Sequence, residues 1–119
     1  MPIPTEIHDQ KYISLTTFRK TGAAVATAVW FAERDGKLYV MTERESGKVK
    51  RIRNNPNVRF APCNFRGRVT GPEFAGKARI LPPAQESELA RQAVRKKYWL
   101  ARLSLRSRQN QYLEIEIQG

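Results

Sequence analysis

The sequence predicts a mainly β (α+β) domain: an antiparallel sheet of six strands or so, curling towards a barrel, with one short and one longer helix. Three observations carry that prediction. Stretches of apolar and polar alternation recur along the 119 residues, each the length of one strand. Most are joined by the short Gly-, Asp- or Asn-containing turns that link antiparallel neighbours. Helical spacing breaks in only at two places, so the strands meander instead of alternating with helices.

The first ten residues, with Pro2 and Pro4, show no period and read as a leader or a short helix. Tyr12 to Phe18 is a β-branched-rich strand, and Arg19-Lys20-Thr21-Gly22 turns the chain. Ala24 to Ala32 returns as its hairpin partner, with Val25, Thr27, Val29 and Phe31 on one face and Ala24, Ala26, Ala28 and Trp30 on the other. The small face is either a flat shelf for a planar ring or ordinary close packing against a helix. Asp35-Gly36 is a hairpin turn leading into Leu38 to Thr42. Ser46 to Arg53, ended by Asn54-Asn55-Pro56, spaces Val49 and Ile52 as a short helix does. Val58 to Cys63 and Phe74 to Leu81 are strands on either side of a turn-rich loop, and Pro82-Pro83 closes the second. Ala84 to about Ser107 is the long helix, with Ala90, Val94, Tyr98, Ala101 and Leu105 on its apolar stripe. Tyr112 to Ile117 is the closing strand.

Composition bounds the chemistry. Residues 1–119 make one domain, and 40% hydrophobic with 28% charged content is that of a soluble globular chain. No apolar run approaches the roughly 20 residues of a membrane span and no export leader is visible, so a cytoplasmic location is expected. The single cysteine, Cys63, rules out an internal disulfide and a cysteine metal cluster. The single histidine, His8, reads as a solvated surface imidazole, which leaves no Ser-His or Cys-His pair for nucleophilic catalysis. A net charge of +11 favours an anionic partner: a nucleotide, a phosphorylated cofactor, another polyanion or nucleic acid. Arg91, Arg95, Lys96, Lys97, Arg102 and Arg106 on the long helix are either a nucleic-acid face or merely solvated charge. Among the described motifs of RNA and DNA binders, neither an aromatic-rich RNA motif nor a zinc finger is present, so nucleic acid is not the expected partner.

The stretch with the most chemical content is Leu38 to Pro56. A helix opening at Ser46 points unpaired N–H groups outward, and Lys48, Lys50 and Arg51 stand in its first turns. An anion there could collect amide, hydroxyl and cationic contacts together.

Taken together, Tyr12 to Phe18, Val25-Ala26-Thr27-Ala28-Val29-Trp30-Phe31, Leu38 to Thr42, Ser46-Gly47-Lys48-Val49-Lys50-Arg51-Ile52 and Asn57 to Cys63 resemble the pyridoxamine-phosphate-oxidase-like flavin and deazaflavin reductases. The chain is most similar to the short subfamily of probable deazaflavin (F-420) enzymes. The resemblance implies an FMN-binding type of split β-barrel that pairs into a homodimer with two cofactor sites at the interface. It implies that Ser46 and Lys48 hold the cofactor phosphate, with Lys50 and Arg51 flanking and Thr42 at the strand end. Val25, Ala26, Thr27, Val29 and Trp30 would line the ring, and Pro62, Cys63 and Arg66 of the partner would close the site. The implied activity is hydride transfer to or from a small organic substrate, using the deazaflavin coenzyme F-420 or, second, FMN. A cofactor that carries the chemistry accounts for the lack of a catalytic side chain. The alternative within the same fold is a non-catalytic carrier of flavin, deazaflavin or haem. Arg51 departs from the Asn of many relatives, and the long carboxy-terminal extension of the true oxidases is missing, so oxidation of that vitamer is not implied.

Overall fold

Asp35 and Gly36 both take positive φ, 52° and 78°, the two central residues of a primed turn whose twist matches that of the strands it joins. The turn connects β2 (Ala24–Arg34) to β3 (Lys37–Glu43). Around that hairpin the computed structural model describes residues 3–8, 10–43, 46–82, 85–97 and 110–118. It gives β1 (Tyr12–Phe18), α1 (Gly47–Asn54), β4 (Asn57–Cys63), β5 (Phe74–Ile80), α2 (Gln85–Lys97) and β6 (Asn110–Gln118). These boundaries lie within a residue or two of the expected ones, except in α2. The part of that helix expected from Tyr98 to Ser107 lies outside the described residues.

All the pairings are antiparallel, and the strands close a six-stranded barrel in the order β1-β2-β3-β6-β5-β4. The split β-barrel class expected from the sequence is therefore the one observed. β3 and β4 are not neighbours; α1 spans the step between them, and β6 inserts between β3 and β5. Inward-facing Ile13, Leu15, Val29, Phe31, Val40, Val58, Phe60, Leu113 and Ile115 fill the interior. A second apolar cluster lies outside, where Ala90 and Val94 of α2 cover Ala32, Tyr39 and Tyr112.

The amino terminus departs from the sequence reading. Residues 3–8 form a turn, with the Ile7 N–H bonding the Pro4 carbonyl at 3.0 Å, and Ile7 is wholly buried in the barrel core. The apolar pair Ile3 and Ile7 is what draws it in: packing against the core outweighs the lack of periodicity. His8 is exposed at the surface, as expected, and has a partner there: its Nδ1 lies 2.8 Å from Glu33 Oε2. Glu114 of β6 is a further polar residue taken into the fold. It is buried, accepts from the Tyr39 hydroxyl at 3.2 Å, and pairs with Lys37 and Arg79 at 3.4 Å.

Candidate functional site

The β2–β3 ladder runs from Arg34↔Lys37 to Phe31↔Val40 and goes no further. Beyond it, Ala24 to Trp30 stays with β1 while Met41 to Glu43 stays with β6. The two strands therefore part, and the wedge between them is a cavity of about 510 Å³. Ala28, Val29 and Trp30 form one wall, Met41, Thr42 and Glu43 the other, and Tyr12 adds its side from β1. Ser46 and Lys48, from the start of α1, complete the lining.

Local geometry sets the polar end. Ser46 is the N-cap of α1, and its Oγ accepts the Val49 N–H at 3.4 Å. The same oxygen accepts from the Thr42 hydroxyl at 3.1 Å, which ties the end of β3 to the helix start. No acidic residue occupies the first turn of α1, so within the helix nothing offsets the positive end of its dipole. Lys48 is partly buried. Its pKa is lowered, chiefly by loss of water and then by the charge of Arg51, while Glu43 acts in the opposite sense. Both forces penalise a lone ammonium, and an anion beside it would offset both.

Of the residues singled out from the sequence, Val29, Trp30, Thr42, Ser46 and Lys48 share this cavity. Val25, Ala26 and Thr27 lie further along β2, opposite Thr17, Thr16 and Leu15 of β1, and do not line it. Lys50 is exposed on α1. Arg51 turns away from the cavity, donating from Nε to Thr17 Oγ1 at 2.6 Å. Pro62 and Cys63 are buried at the end of β4, opposite Ile13 and Tyr12, and burial raises the Cys63 thiol pKa. Arg66 is exposed in the following loop, its guanidinium 5.3 Å from the Phe65 ring centre. Tyr12, Met41 and Glu43 line the cavity without having been among the expected site residues, and Ala28 is expected only as part of the shelf. The hairpin register held the signal: counting outward from Asp35-Gly36 sets Trp30 and Val29 level with Met41 and Thr42, and β1 pairing sets Tyr12 beside Trp30.

The cavity thus joins aromatic and aliphatic walls to an end bearing two hydroxyls, the Lys48 cation and, at its edge, the Glu43 carboxylate. That donor set fits a planar ring with a phosphate tail, and the volume is within the usual range of small-molecule sites. Among the described residues no cluster of His, Cys, Asp or Glu could hold a metal ion, and no helix is long and apolar enough to cross a membrane.

The family model for pyridoxamine 5'-phosphate oxidase matches residues 3–119. No curated protein matches the chain. Among solved structures, a haem storage protein from Vibrio cholerae is 11% identical with a TM-score of 0.78, over 100% of this chain and 92% of that one. A haem-binding protein from Mycobacterium smegmatis is 15% identical with a TM-score of 0.77, over 96% of this chain and 49% of that one. A candidate pyridoxamine 5'-phosphate oxidase from Listeria innocua is 17% identical with a TM-score of 0.67, over 92% and 85%. At such identities the likeness is one of fold. The chain spans about half the length of several of the structures it matches.

Proposed function

Because the chain belongs to the pyridoxamine 5'-phosphate oxidase family, we propose that it is a flavin-type oxidoreductase whose cofactor lies in the cavity between β2 and β3. The observation that carries this reading is the pairing, in one cavity, of Ser46 and Lys48 with Trp30, Val29, Met41 and Tyr12. Lys48 and the Ser46 hydroxyl hold the phosphate, with Thr42 orienting that hydroxyl through its own hydrogen bond. The apolar walls seat the ring and keep water from one face. When bound, the ring supplies hydride chemistry to a small organic substrate. FMN and the deazaflavin coenzyme F-420 share this outline. The net charge of +11 favours the tail richer in carboxylates.

A second copy of the chain would close the site, bringing the exposed loop that holds Arg66 over the ring, while Pro62 and Cys63, buried in β4, support that loop from within their own subunit. Phe65 and Val69 in that loop are 67% and 52% exposed, apolar area that a partner surface would cover.

Haem carriage is the second reading, supported by the fold shared with the two haem proteins. Against it, His8 pairs with Glu33 and neither residue lines the cavity. Tyr12 and Met41 are the lining residues whose side chains could ligate a haem iron there.

Titrating the purified protein with FMN, with F-420 and with haemin, read by fluorescence and absorbance, separates these readings. Lys48→Ala should weaken binding of the flavin-type cofactor by about 1.5–3 kcal/mol, the worth of a charged hydrogen bond. Affinity unchanged by that substitution would overturn the assignment.

A further inference from the structure

We propose that Arg51 is a positioning residue, a brace that fixes the roll of α1 against β1 and so aims Ser46 and Lys48 at the cavity. The inference rests on the reading of Ser46 and Lys48 as phosphate holders, and it gives Arg51 a different role from that of a flanking cation.

α1 has eight residues, and its buried side chains are Val49 and Ile52. Two anchors three positions apart lie on one face, and the Thr42–Ser46 hydrogen bond ties only the start of the helix, so these leave its roll loosely held. A further tie comes from Arg51, whose Nε donates to Thr17 Oγ1 at 2.6 Å. Thr17 is wholly buried in β1, which makes it a rigid acceptor. On its way the guanidinium crosses Gly47, where an added Cβ would lie 2.7 Å from Nη1. A side chain at the first residue of α1 would therefore displace the end of the guanidinium from its present path. Arg51 itself does not line the cavity.

Electrostatics gives the bond a task. Burial and the nearby charge of Arg19 lower the Arg51 pKa, and Arg51 in turn lowers that of Lys48. Three cations repel one another around one short helix, and the contact to Thr17 keeps the middle one out of the anion's place.

Thr17→Val removes the acceptor, keeps the side-chain shape and leaves the Arg51 charge intact. Dissociation constants for FMN and for riboflavin, which lacks the phosphate, are measured on the wild-type protein, Thr17→Val, Thr17→Ser, Arg51→Ala and the Thr17→Val/Arg51→Ala double variant. The expected result is about a tenfold loss for FMN in Thr17→Val with riboflavin within about twofold, recovery in Thr17→Ser, and no further loss in the double variant. FMN affinity unchanged in Thr17→Val while Arg51→Ala weakens it would make Arg51 a direct ligand and overturn the brace. Equal losses for FMN and riboflavin would overturn it too, as a general structural effect. If the wild-type protein binds no flavin, the functional reading fails on its own, and amide exchange then tests the brace: the α1 amides should exchange faster in Thr17→Val at unchanged melting temperature, and unaltered exchange overturns it.

Discussion

Lys48 stands between two opposed influences: burial and the Arg51 charge lower its pKa, and Glu43 raises it, with burial the largest. A phosphate monoester has its second pKa at about 6, so above neutrality the tail of FMN no longer changes charge and Lys48 becomes the group that titrates. The cation-bound complex needs Lys48 protonated. Affinity for FMN should therefore hold on the acid side and fall as pH rises through the lowered Lys48 pKa, below the ordinary value of 10.5. Isothermal titration across that interval checks it, and Lys48→Arg should abolish the fall within it. Stability of the free protein moves the other way. A lysine whose pKa is lowered on folding imposes its full cost below the folded pKa, and that cost is relieved as pH climbs towards the unfolded value.

At the scale of the element, α1 makes one residue serve two purposes. Ser46 caps the helix through its Oγ and also lines the cavity. Ser46→Ala should cost about 1 kcal/mol of stability, while Ser46→Gly should cost only a few tenths, because glycine is itself a tolerated cap. Both should weaken FMN binding, so thermal melts alongside flavin titrations separate the cap from the ligand contact; tight binding by Ser46→Gly would remove the hydroxyl from the site. The ends of α1 were legible in the sequence, since Ser46 and Asn54-Asn55-Pro56 are local stop and start signals acting through the backbone. The direction of Arg51 was not. It depends on Thr17, thirty-four positions away, and on the space above Gly47, neither of which shows in local spacing. Val25 to Thr27 were placed on the right strand but beyond the cavity, because where a ladder ends is decided by the outer partners of both strands.

For the molecule as a whole, the sequence showed strands and hairpins clearly and their order around the barrel poorly. The β1–β2 and β2–β3 pairings follow from short turns, whereas the place of β6 between β3 and β5 follows from closure, a global condition. Burial of Ile7 and Glu114 escaped notice for the same reason: each depends on residues brought from elsewhere. The proposed pairing of two chains is also a whole-molecule matter. Phe65→Asp should shift the protein towards monomer in sedimentation equilibrium and weaken FMN binding in parallel. A dimer that survives the change intact would locate the contact elsewhere.

The strand that walls the cavity with Met41, Thr42 and Glu43 is held on its far side by β6, which the ribosome releases some seventy residues after it. During synthesis β3 is consequently a bare edge, open to pairing with nascent neighbours, while the first hairpin is already complete. Cells making this chain quickly should show its losses as inclusion bodies, and slowing elongation or cooling the culture should recover them.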